Sequence, residues 1–149
     1  MESQISNAHI SNSLDGVWRQ ARPFVLTLGQ ALWDELRKSN PRITVHGRDL
    51  KPELEGTGFQ FQYTLPGPWF GGEVSQVYFV VQVQMKRKSV SLGWLIDVMP
   101  VLEIEAGDYD LYPRRSYDVA FRDRTGLQHV FEQAVRPDAR KFFDSVVQG

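Results

Sequence analysis

The chain has 149 residues, 17 Lys and Arg against 18 Asp and Glu, a formal net charge of -1, and no cysteine. That length holds one domain with a core of its own, and 42% apolar content is ordinary for a globular chain. Charge balance excludes the broad basic footprint of a general nucleic-acid binder, and the lack of Cys excludes a disulfide scaffold, a thiolate metal site and a cysteine nucleophile.

Residues 1–12 are rich in Ser and Asn and lack the apolar core of a signal peptide, so they read as a flexible leader before a single domain over 13–149. No run is long and apolar enough for a membrane span, so no membrane partner is expected and the expected compartment is the cytoplasm. From Ser13 the spacing becomes helical. Leu14, Val17, Trp18, Ala21, Val25, Leu28, Leu32 and Leu36 make one stripe at three- and four-residue intervals. Pro23 lies inside it, which predicts a kinked helix ending near Asn40.

A short strand is expected over 42–46, with Ile43 and Val45 inward and Gly47 closing it. Residues 47–58 are polar and turn-rich and read as a loop. The next strand, 59–65, places Phe59, Phe61, Tyr63 and Leu65 on one face and uncharged Gln60, Gln62 and Thr64 on the other. Residues 66–72 (PGPWFGG) then form a turn carrying two large aromatics.

The stretch 74–105 is the clearest signal in the chain. Val77, Phe79, Val81, Val83 and Met85 alternate at odd positions, then Val90, Leu92, Trp94, Ile96 and Val98 at even ones. Period-two alternation of this length predicts a β-hairpin with one face on a core, turning at Lys86, Arg87 and Lys88. Pro100 marks a bulge, an edge or a strand end. An acidic loop follows, then a strand over 114–122 with Tyr117, Val119 and Phe121 inward. Helical spacing closes the chain through Leu127, Val130, Phe131 and Ala134, and Pro137 restarts it with Phe142, Phe143 and Val146. The expected fold is α+β: an N-terminal helix, an antiparallel meander of about five strands, and a C-terminal helix, with both helices on one face of a curved sheet.

Chemistry is sparse. His9, His46 and His129 share no metal-ligand spacing, and nucleophile-elbow and phosphate-loop motifs are absent. Glu103, Glu105, Asp108 and Asp110 alternate near a strand end and fit a solvated turn better than a cation loop; no metal or cofactor is expected. Helix, meander and closing helix resemble in outline small bacterial proteins of the immunity or adaptor type, an analogy of architecture alone.

Two readings follow. In the first, the chain is a non-enzymatic interaction module. It binds another protein or forms a homodimer through an edge of the long hairpin, with Trp69, Phe70, Tyr109, Tyr112, Lys86, Arg87 and Lys88 at the contact. In the second, a concavity between sheet and helices holds a small molecule or hydrolytic chemistry. Tyr63, Tyr78, Trp94, Asp97 and Glu103 would line it, with Arg114 and Arg115 as anion partners.

Overall fold

A computed structural model describes residues 2–86, 89–101, 115–120 and 124–148, with only the backbone described at 2–15, 89, 100, 115–120 and 124. The architecture is α+β. Helix α1 (Glu2–Ser39) leads into β1 (Thr44–Asp49), the short α2 (Pro52–Glu55), β2 (Gly58–Trp69), a 3-10 turn (Phe70–Gly72), β3 (Val74–Met85), β4 (Ser89–Pro100) and β5 (Arg115–Ala120). Helices α3 (Arg124–Val130) and α4 (Arg136–Gln148) close the chain, joined by a π-turn over Phe131–Val135.

Helix α1 is continuous through Pro23 and begins at Glu2, so residues 2–12 have helical backbone where the sequence suggests a loose leader. The stripe is as spaced: Trp18, Val25, Leu28, Leu32 and Leu36 are buried. The Pro23 carbonyl accepts a bond from the Thr27 hydroxyl at 2.9 Å. At the other end of the chain Pro137 widens the helix without restarting it. A proline there cannot donate to the preceding turn, and the chain absorbs this with one π-turn in which the Arg136 N–H bonds the Phe131 carbonyl.

All strands pair antiparallel in chain order, β1-β2-β3-β4-β5. The expected meander of about five strands in a curved sheet is slightly off. The sheet whose side chains are described is the four-stranded ladder β1 to β4, and β5 adds a short backbone ladder from Trp94↔Arg115 to Ser89↔Ala120. Strand β2 runs past its expected end at Leu65 to Trp69, with register irregularities between Pro66 and Trp69 and, on the next pair, between Val74 and Gln76. β1 also runs later than expected, and Gly47 lies within it, opposite Phe61.

The core lies between one sheet face and the helices. Phe59, Phe61, Tyr63 and Leu65 of β2, Val77, Phe79, Val81 and Val83 of β3, and Leu92, Trp94 and Ile96 of β4 are all buried there. Across the gap, the Tyr63 hydroxyl donates to the Gly29 carbonyl of α1 at 2.7 Å and the Trp94 indole N–H donates to Asp138 of α4 at 2.9 Å. The Phe79 and Phe142 rings sit 6.5 Å apart. Outside the core, Arg22 of α1 holds Asp49 through two bonds of 2.9 and 3.0 Å and lies over the Phe59 ring, which ties the helix to the β1 end.

Candidate interaction surface on the second sheet face

Strand parity places a second set of residues on the opposite side of the sheet. Directly paired residues share a face, so register assembles this surface row by row. Thr44, Thr64, Tyr78 and Asp97 form one row; His46, Gln62, Val80 and Leu95 the next; Arg48, Gln60, Gln82 and Gly93 a third. Gln84 with Ser91 and Gln76 with Met99 extend it at the two ends.

Among the described residues the only helix on this side is α2, at one corner. Arg48 grips Glu55 of α2 with bonds of 2.7 and 2.8 Å, the Lys51 N–H donates to the same carboxylate at 2.9 Å, and the Gln84 amide donates to the Glu55 carbonyl at 2.6 Å. The Arg48 guanidinium, reinforced by the Lys51 N–H, lowers the Glu55 carboxyl to about 2.

The centre of the face carries no charge. Val80 pairs directly with Leu95, both half-buried, flanked by Gln62 and Gln82 and by Tyr78, whose hydroxyl donates to the Gln76 amide oxygen at 2.8 Å. Burial, with the Asp97 charge across the strand as a lesser cause, pushes the Tyr78 phenol up. Ionisable residues stand at the margin: Arg48 in its ion pair, His46 on β1, exposed Asp97, which accepts the Val98 N–H at 2.8 Å, and Asp118 of β5, which pairs with Ser91. Toward the β4 end the surface turns apolar. Met99 is 47% exposed and Val101 57%; the Val101 N–H bonds the Glu73 carbonyl beside Phe70, itself 41% exposed.

The residues singled out from sequence fall in different places. Trp69 folds back on the core, its indole donating to the Leu65 carbonyl at 3.1 Å, so it plugs the sheet end. Phe70 alone of the pair is exposed, at a positive φ of 52°. Lys86 is exposed at the hairpin tip; Arg87, Lys88, Tyr109 and Tyr112 lie outside the described residues.

Among the described residues the ligand-site set does not assemble. Tyr63 and Trp94 are core residues beneath the helices, whereas Tyr78 and Asp97 lie on the other face with the sheet between them. Glu103 and Arg114 lie outside the described residues, as does the rest of the acidic cluster, and Arg115 is described only in backbone. The space expected to be a concavity is filled by Tyr63, Phe79, Leu92 and Val81, each 0 or 1% exposed. A shallow hollow of about 80 Å³ lies elsewhere, where Leu36 and Ile43 meet Phe143 and Arg140. Among the described residues no cluster of His, Asp and Glu is grouped to hold a metal ion, and no helix is long and apolar enough to cross a membrane.

The edge reading also changes. β3 is interior, pairing with both β2 and β4, and β4 pairs with β5 over residues 89–94, so among the described residues only 95–100 of the hairpin has no partner strand on its outer side. Sequence reasoning did not single out Val80 and Leu95. Their parity, opposite to Phe79 and Ile96, was the signal that would have found them.

Comparison of the chain with family models, with curated proteins and with solved structures finds no match.

Proposed function

We propose that the protein is a non-enzymatic cytoplasmic interaction module that docks another protein chain on the second face of its sheet. One observation carries the reading: the face has a charge-free centre of half-buried Val80 and Leu95 beside the buried Tyr78 ring (8% exposed), ringed by glutamines and running into exposed Met99, while the opposite side of the same sheet is a filled core. Interface centres are depleted of charge and enriched in Tyr and Met, with polar residues around them. Glutamine suits such a ring because each amide both donates and accepts.

The test is site-specific photo-crosslinking in the source cell. A photoreactive amino acid at Leu95 is expected to give a discrete protein adduct, and the same label at exposed Ala31 of α1 is not. Equal adduct patterns from both positions would refute a docking face.

A further inference from the structure

We infer that the chain docked on this face is a second copy of the same protein, packed sheet against sheet across a two-fold axis. The inference rests on the docking-face reading and adds the identity of the partner.

In a two-fold interface each patch meets itself, so a patch of one charge sign repels its own copy. This face avoids that penalty. Its interior, from Gln60 and Gln62 through Val80 and Gln82 to Leu95 and Ser91, has no ionisable side chain. Arg48 is already neutralised by Glu55 at the corner, and the two acidic positions, Asp97 and the Asp118 that pairs with Ser91, stand at the far margin on the β4 and β5 side. The glutamines are self-complementary in a way that charged residues are not: one amide's N–H meets its counterpart's carbonyl in either order. Antiparallel sheets with an apolar-centred face pack on one another at about 10 Å separation in the aligned manner of β-sandwiches.

The area is adequate. At about 3.3 Å per residue and about 4.8 Å between strands, the seven residues from Gln60 to Pro66 and the four strands β1–β4 outline a patch of about 23 by 19 Å. Two such patches amount to about 900 Å² flat, close to the roughly 1,000 Å² that a specific interface needs. That is the weak end of the range, so a dimer dissociating at roughly 1–100 µM is expected.

The experiment uses the full chain. Sedimentation velocity from about 1 to 300 µM should show a reversible monomer–dimer equilibrium in this range. Val80→Glu should raise the dissociation constant at least about 10-fold with an unchanged circular dichroism spectrum, and mixing it with Val80→Lys should restore a heterodimer, because opposite charges then meet near the centre. Since the chain has no cysteine, Leu95→Cys should form a disulfide-linked dimer under mild oxidant while Ala31→Cys does not. This route stays informative if the charged variants misfold. A strictly monomeric wild type, a dimer indifferent to Val80→Glu, or equal cross-linking from positions 31 and 95 would each overturn the second-copy inference. A monomeric wild type that still yields a Leu95 adduct to a different protein would overturn it while leaving the docking face standing. No adduct at all would remove both.

Discussion

The packing of α1 on the sheet turns on one glycine, and replacing it sets two effects of opposite sign against each other. Gly29 sits in the helix, where Gly→Ala ordinarily stabilises by about 1 kcal/mol. A β-carbon there would lie 2.1 Å from Cε1 and 2.3 Å from Cζ of Phe61, far inside van der Waals contact. The Phe61 ring cannot swing away. It is 4% exposed, with the Phe59 ring 4.9 Å and the Tyr63 ring 6.3 Å from it. Helix or sheet must therefore shift, and overpacking of this kind costs about 1–3 kcal/mol. A shift of the helix also strains the 2.7 Å bond from the Tyr63 hydroxyl to the Gly29 carbonyl, worth about 1 kcal/mol net. Clash and lost bond together outweigh propensity, for a net destabilisation of about 1–3 kcal/mol. In a chain of this size each kcal/mol moves the melting temperature by about 2–4 °C, so Gly29→Ala should melt roughly 2–12 °C below wild type. Thermal and urea denaturation followed by circular dichroism measure it. In a Phe61→Leu background the same substitution should become neutral or stabilising, the signature of a coupled pair. A Gly29→Ala protein that melts above wild type would show that propensity wins and that α1 does not press on Phe61 as described.

Phe79→Ala removes a ring that is 1% exposed and faces Phe142; it should cost about 3–5 kcal/mol in urea denaturation, and a midpoint near wild type would mean the covered face is misassigned. Trp69→Ala should destabilise measurably because the indole plugs the sheet end and bonds the Leu65 carbonyl, whereas Phe70→Ala should leave the melting temperature within about 1–2 °C, since surface changes stay within about 0.5 kcal/mol; the reverse order would exchange their roles. Glu55 is held at about 2, below its ordinary 4.5, so its contribution is complete above pH 4.5 and is lost as pH falls from there toward 2. Glu55→Gln should flatten that acid limb of the stability profile, and an unchanged limb would mean the Arg48 pair is not formed in solution.

Much of the covered face was legible because side-chain direction in a strand is a local property. Alternation from Val77 to Met85 and from Val90 to Ile96 assigns the buried side without knowledge of any partner, and those residues are buried. The helical stripe through Val25, Leu28, Leu32 and Leu36 is local in the same sense. Parity also separated Tyr78 from Phe79 and Asp97 from Ile96, yet a ligand site drawn from both faces ignored it. What tertiary structure alone decided is pairing. No local signal makes β1 and β5 the outer strands of the sheet and β3 its centre, because strand order depends on which chain segments meet. Nor does composition show that Pro66–Pro68 continues in β2, that Trp69 turns inward while Phe70 does not, or that Gly29 is where the helix touches Phe61. Each depends on groups far apart in sequence, whose contact energies exist only once the sheet and helices are brought together.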